Sequence, residues 1–457
     1  MILEIGYLIC ACGFFLGLKF LSSPKLAKSG NLLSGLAMLL ATILCLIQHQ
    51  PTKILGLFIA LLLGSIVGIW AAKKVKMTAM PQLVAVFNGL GGMASVLVAL
   101  AETARFFYDN NHPDTLFIIT SWLSIVIGAI TFSGSIIAFV KLQELISSKP
   151  IILPTQKLIT IGITFSCLAT LFFLNTPQDI FTIFLILSFI ATILGVLLVI
   201  PIGGADMPVV ISLLNSYSGI AALTAGFVVK SNLLIIAGSL VGASGIILTR
   251  LMCQAMNRSL TNVIFGAFSA KITNSSHEEQ KPYKEFSPLD AAIALNNASK
   301  VMVIPGYGLA VSQAQKILKD LSDNLSQNGV IVKYAIHPVA GRMPGHMNVL
   351  LAEADIPYDD LLDLDEANSE FDSTDVVVLI GANDVVNPAA KNDKNSPLFG
   401  MPILEAYKAK SILVFKRGKG HGFAGVENPL FTYDNANVIF GDAKASLLKV
   451  NTSLKDL

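Results

Sequence analysis

The chain reads as a polytopic α-helical membrane bundle of about nine spans, followed by a soluble α/β domain built on a doubly wound parallel sheet. Three observations predict this. Long uncharged runs fill residues 1–270, whereas residues 280–457 carry the mixed charge of a water-soluble fold. Past residue 300, short apolar runs alternate with helical patterns. At their head lies VMVIPGYGLAVSQAQ, Val301–Gln315, where an apolar run is broken by Pro305 and the pair Gly306-Tyr307-Gly308 before a helical pattern resumes. Strand, glycine turn and helix in that order aim bare backbone N–H groups at a phosphate.

At 457 residues the chain has room for about two or three domains. Its 53% hydrophobic and 14% charged residues depart from the soluble norm of about 45–50% and about 25%, which a membrane half explains. The net charge of +2 points to no particular partner, and no nucleic-acid partner is expected. Cys10, Cys12, Cys45, Cys167 and Cys253 all lie in apolar runs without metal-ligand spacing, so buried free thiols and no metal site are expected.

A span needs about 20 apolar residues to cross roughly 30 Å of hydrocarbon. The runs fall near 2–21, 31–48, 52–72, 83–104, 116–140, 157–174, 180–201, 208–229 and 232–256. The first lacks the basic flank and cleavage site of a signal peptide and is expected to be a span. Lys and Arg cluster on alternate connections: Lys25 and Lys28; Lys73, Lys74 and Lys76; Lys141, Lys149 and Lys157; Arg258 and Lys271. Positive-inside bias puts that set in the cytoplasm, with the amino terminus outside and the C-terminal domain inside.

Small residues recur in the spans, at Gly64 and Gly68, at Gly89, Gly91 and Gly92, and at Gly238, Gly242 and Gly245, and are expected to let helices approach closely. Polar groups at depth are costly. Asn88 sits early in the fourth span, and Asn215-Ser216-Tyr217-Ser218 interrupts the eighth. None is a permanent charge at mid-membrane, which suits a narrow, hydrated proton path. Gly203–Pro208 reads as a tight cytoplasmic turn, in which Asp206 either pairs with Arg258 or stays a solvated loop charge.

Residues 1–260 therefore form the bundle, 261–287 a polar, Pro-containing linker, and 288–457 the soluble domain. Strands are expected at Val301–Ile304, Val330–Ile336, Val376–Ile380, Ile412–Phe415 and Val438–Phe440, with helices near 289–298, 309–326, 346–355 and 402–409. Continuous apolar strands with helices between them imply a Rossmann-like sheet whose ligand lies beyond the strands' carboxyl ends. Glycine-rich or polar turns occupy those ends: GYG, HPVAGRMPG, GANDVVNP, KRGKGHGFAGV and GDAK. The second strand ends in His337-Pro338 with Arg342 beyond and no acid, and Lys416-Arg417 close the fourth. Cations without an acid favour a 2′-phosphate, so NADP(H) over NAD(H). Val311 stands at the third fingerprint position, which loosens helix-on-strand packing, and Gly418–Gly425 has the composition of a mobile lid.

These segments resemble the β subunit of the proton-translocating nicotinamide nucleotide transhydrogenase. The resemblance lies in GGADMPVV (203–210), LNSYSG (214–219), AMNRS (255–259), PGYGLAV (305–311), IHPVAGRMPGHMNVLLAEA (336–354), IGANDVVNPAA (380–390) and GDAKAS (441–446). It implies NADP(H) on this chain and NAD(H) on a partner α subunit, within a heteromeric assembly holding two copies of this chain in a bacterial cytoplasmic (inner) membrane. Hydride would pass between the nucleotides as protons move inward across the bilayer. Cofactor contacts are implied at Gly306, Tyr307, Gly308 and Val311; at His337, Pro338, Val339, Ala340, Gly341 and Arg342; and at Gly381, Ala382, Asn383 and Asp384. They extend to Lys416 and Arg417 on the 2′-phosphate, Gly425, Gly441, Asp442 and Ala443. Asp384 would lie near the nicotinamide as a coupling group, Asn88 and Asn215 on the proton path, and Asp206 with Arg258 in the relay. Many relatives carry histidine at the position of Asn88, and an amide cannot titrate as imidazole does; the lid's Phe423 also replaces a frequent tyrosine. The competing reading, a nucleotide-gated transporter or channel with a Rossmann sensor, requires filter carbonyls or ion-ligand carboxylates on broken helices, and neither pattern stands in the sequence.

Overall fold

A computed structural model describes the chain except residues 1, 22, 24–25, 50–53, 110–112, 148–149, 175–176, 258, 266–281, 344, 395, 397, 419, 421 and 423. Arg258, Phe423 and most of the expected linker thus lie outside the described residues. The chain divides into two compact units, Met1–Arg250 with Leu260–Ser269, and Leu251–Ser259 with Ala270–Leu457.

Among the described residues nine helices are long and apolar enough to cross a membrane. They are α1 (Ile2–Leu21), α2 (Ala27–His49), α3 (Ile54–Lys74), α4 (Met80–Asp109), α5 (Thr115–Leu142), α6 (Gln156–Ala169, extended by a 3-10 turn to Phe173), α7 (Pro177–Val199), α8 (Met207–Val228) and α9 (Asn232–Ala255). The short helix α10 (Leu260–Phe265) follows. Glycines set how closely the helices pack. A Cβ on Gly92 would lie 2.5 Å from the Gly128 carbonyl, and one on Gly242 3.1 Å from Ile220. The expectation of close approach fails at Gly64 and Gly68, whose added Cβ atoms would meet nothing within 4 Å. The polar run at Asn215 does not interrupt α8 either. The helix runs through it unbroken, and the serine hydroxyls find partners on α9: Ser216 donates to the Gly242 carbonyl at 2.7 Å, and Ser212 to that of Gly245. Cys12 and Cys45 are exposed on the bundle, not buried as expected; in the first three helices most apolar side chains face outward.

Past residue 281 the first helix of the second unit is α11 (Pro288–Asn296), started by Ser287 and Asp290 in a reciprocal capping box. There follow β1 (Lys300–Pro305), α12 (Tyr307–Ser312), α13 (Gln315–Gln327), β2 (Ile331–Ala335), α14 (His346–Glu353), β3 (Leu361–Leu362), α15 (Leu364–Glu370), β4 (Val376–Ile380), α16 (Ala389–Asn392), β5 (Ser411–Lys416), β6 (Ala436–Phe440) and α17 (Ala443–Lys455). All strands pair in parallel, in the order β3-β2-β1-β4-β5-β6. β1, β4 and β5 read as apolar runs because their central positions are buried on both faces, whereas β2 carries an exposed Ile331 and a half-buried Lys333. Val301 and Val303 join a core with Leu318, Leu321 and Val450, while Met302 and Ile304 join the opposite core with Phe371 and Phe431.

Three expectations are corrected. The helix near 309–326 is two helices, because Gln313 takes a left-handed φ of 51° and breaks it. The helix near 402–409 is only a 3-10 turn, Ala406–Lys408. Its apolar residues Ile403 and Leu404 are buried by loop packing, which produces helix-like hydrophobicity without a helix. The sheet also has a sixth strand, β3, too short to leave a periodic signal.

Candidate functional site

Strands are added outward in one direction from β1 to β3 and in the other from β4 to β6, so β1 and β4 form the switch point, and their neighbouring carboxyl ends flank the crevice where such sheets bind ligands. Here two turns interlock. A Cβ on Gly306 would lie 2.5 Å from the Ala382 Cα, one on Gly308 2.6 Å from the Gly381 Cα, and one on Gly381 2.7 Å from the Gly308 nitrogen. Gly381 also has a φ of +61°, so glycine is required there twice over. The turn does not offer a row of bare N–H groups as its sequence suggests. Gly306 N–H donates to the Ile380 carbonyl at 2.9 Å and Gly308 N–H to that of Gly381 at 3.0 Å. These glycines admit backbone to backbone.

Tyr307, beside the crossing, carries the Arg342 guanidinium over its ring at 4.3 Å, and His346 meets the same ring edge-on at 6.1 Å. Three elements, the β1 turn, the β2 loop and α14, thus bring Tyr307, Arg342 and His346 together. His346, absent from the expected site, is fully buried, and its Nδ1 accepts the Arg342 backbone N–H at 3.1 Å. Gly341, at φ +105°, leaves it room. The signal was available in GHMN, where Gly345 turns the chain directly into a buried histidine. Val311 is 48% exposed, so it does not fill the helix–strand contact its fingerprint position implies.

His337 does not offer its ring to a ligand. Nδ1 accepts the Val339 N–H at 3.2 Å and Nε2 lies 2.8 Å from the Pro402 carbonyl, so the buried ring braces the loop bearing Pro338, Val339 and Ala340. Burial holds the imidazoles of His337 and His346 down at about 4, the latter with help from the Arg342 charge. Both are neutral in the fold, so the unfolded chain takes up protons first as pH falls. Their stabilisation is full above about 6.5 and is lost between there and about 4. The urea midpoint of the soluble unit should fall across that window, and His346→Gln should make the fall shallower.

At the β4 end, Asp384 accepts the Ala424 N–H at 2.9 Å, and Asn428 donates to the Asn383 carbonyl at 3.0 Å. Ala424 of the expected lid is therefore fastened onto the β4 loop, as is Asn428 just beyond it. Lys416 is half-buried, 5.0 Å over the Phe431 ring, and donates to the Gly420 carbonyl at 2.5 Å. Burial lowers its ammonium from the usual lysine range. Arg417 next to it and Gly425 further along are exposed. Gly441 N–H returns to the Lys416 carbonyl at 3.0 Å, and Asp442 spends its carboxylate capping α17 on the Ala445 N–H, two residues after Ala443.

In the membrane unit, Asn88 is buried and donates its side-chain amide to the Ile211 carbonyl of α8 at 3.2 Å. Asn215 stands one turn further along the same helix, half-buried. Asp206 ends the 3-10 turn Gly204–Asp206 that leads into α8.

Comparison with known proteins matches residues 3–453 to a family described as "NAD(P) transhydrogenase beta subunit". The chain is 47% identical over 448 residues to the "NAD(P) transhydrogenase subunit beta" of Rhodospirillum rubrum, covering 96% of each chain. The same figures hold for the protein of that name from the species' strain ATCC 11170.

Proposed function

The chain belongs to the NAD(P) transhydrogenase beta subunit family, and on that premise we propose that its soluble unit holds NADP(H), exchanges hydride with NAD(H) on a partner α subunit, and couples the exchange to inward proton movement through its membrane unit. The chain is a membrane protein and one subunit of an oxidoreductase complex. The proposal adds two copies of it per assembly, a bacterial inner membrane, the amino terminus outside and the soluble unit in the cytoplasm.

One observation carries the choice of nucleotide. Cations line the strand ends, at Arg342 after β2 and at Lys416 and Arg417 after β5, and no acid closes β2 to take a ribose 2′-hydroxyl. The residues fit a dinucleotide. The interlocked glycines leave backbone without side chains at the switch point, and Arg342 is oriented by Tyr307 below and by His346 through its own N–H. The bound nicotinamide supplies the hydride chemistry, so the protein needs no nucleophile. Its work is alignment, since hydride transfer asks for donor and acceptor carbons about 3–3.5 Å apart. Arg342, Lys416 and Arg417 hold the phosphates; Asp384, latched to Ala424, links the nicotinamide side to the segment covering it.

Calorimetry on the fragment from Tyr283 to Leu457 tests this. NADP⁺ should bind at least about 100-fold more tightly than NAD⁺, the effect of roughly 2.7 kcal/mol from charge-assisted contacts to one phosphate. Equal affinity for the two would overturn the assignment. Replacing Lys416 and Arg417 together with glutamine should remove most of that preference, raising the NADP⁺ Kd about 30–100-fold with little change for NAD⁺.

A further inference from the structure

Charge patterning counts Lys141 among the exposed cytoplasmic connections, yet the structure places it inside α5, only 1% exposed. Its ammonium donates to the Ile200 carbonyl at 2.5 Å and the Ile202 carbonyl at 2.7 Å. Those oxygens lie just past the end of α7, where a helix leaves its last carbonyls unsatisfied and its dipole favours a cation. Only four residues, Gly203 to Asp206, separate Ile202 from α8.

The contact closes a ring. Gln82 of α4 donates its side-chain amide to the Leu142 carbonyl at 3.1 Å, next to Lys141 on α5. Lys141 ties α5 to the α7–α8 turn. One turn into α8, Ile211 accepts the amide of Asn88, which returns the circuit to α4. Asn88 of the expected proton path is thus held in a loop of buried hydrogen bonds whose cationic member is Lys141, and Asn215 stands four residues past Ile211 on α8. A charge withdrawn from water is expensive, and an apolar side chain of the same length would fill the space at less cost.

We propose that Lys141 is a positioning residue for proton-coupled turnover: its ammonium clasps the α7–α8 turn and so fixes where α8 sets Asn215 against Asn88 of α4. The proposal rests on the transhydrogenase reading. Lys141 touches no nucleotide and moves no hydride; it holds a helix start in place.

The test uses the full chain assembled with its α subunit in lipid vesicles, comparing wild type, Lys141→Met and Lys141→Arg. Proton movement is followed with a pH-sensitive dye while NADPH and NAD⁺ react, beside the KM for NADPH and the amount of complex recovered in detergent. Lys141→Met should lower redox-linked proton movement per assembled complex at least about tenfold while the KM for NADPH stays within about threefold, since binding and coupling are read by separate constants. Lys141→Arg, which keeps the cation, should retain at least about a third of it. Lys141→Met vesicles pumping at the wild-type rate would overturn the clasp, as would Lys141→Met and Lys141→Arg losing activity only in step with recovered complex. Wild-type vesicles without redox-linked proton movement would instead fail the transhydrogenase reading, and the clasp with it.

Discussion

Gly381→Ala should destabilise the soluble unit by more than about 2 kcal/mol and weaken NADP⁺ binding at least about tenfold, because a left-handed backbone and a collision are imposed together. Gly381 sits at φ +61°, and its added methyl would press on the Gly308 nitrogen at 2.7 Å. Neither turn can give way alone. Gly308 N–H is bonded to the Gly381 carbonyl, and Gly306 N–H to that of Ile380. Moving one loop therefore pulls the other, at the crevice proposed for the dinucleotide. Gly329→Ala is the internal control, with φ +82° but nothing within 4 Å of the new atom. It should cost only about 1 kcal/mol, the left-handed penalty alone. Urea unfolding of both variants separates the terms, and equal losses would mean that the two turns do not interlock.

Asp384→Asn is expected to spare nucleotide affinity and cripple coupling. The carboxylate accepts the Ala424 N–H, and no space remains for a side chain at Gly422 against it. An amide keeps one acceptor oxygen, so the latch holds and the NADP⁺ Kd should stay within about threefold. It cannot change charge, and proton-coupled turnover should drop at least about tenfold if Asp384 links redox state to protonation. Coupled activity equal to wild type would reject that role. Removal of the acceptor in Asp384→Ala should also release Ala424, visible as faster exchange of its amide.

What could be read in the chain depended on how far each signal acts. The five longer strands declare themselves because burial leaves each with a run of apolar residues, most completely in Val376–Ile380, where every position is buried. The leucines of α13 at 318, 321 and 325 keep helical spacing for the same reason. Hydrophobicity reports burial, however, and not conformation, so the buried loop around Ile403 and Leu404 passed for a helix. Hydrogen-bond partners distant in sequence leave no local trace. Nothing near His337 announces that its ring N–H donates to the Pro402 carbonyl, and nothing near Gly308 announces that its N–H is committed to Gly381. Lys141 was misread for a related reason. One residue past an apolar run looks like a loop until the carbonyls of Ile200 and Ile202 are seen to surround it.

The contact between α8 and α9 has a mechanical consequence. Backbone touches backbone where Gly245 meets Ser216 and where Gly226 meets Ile235, with Gly242 seated against Ile220. Sliding α9 by one residue toward α8's Ile220 would put the side chain of Val241 into the slot that Gly242 leaves open, so close packing opposes axial slip in that direction. Any displacement started at the Met207 end therefore reaches Val228 as a tilt of two rods moving as one lever.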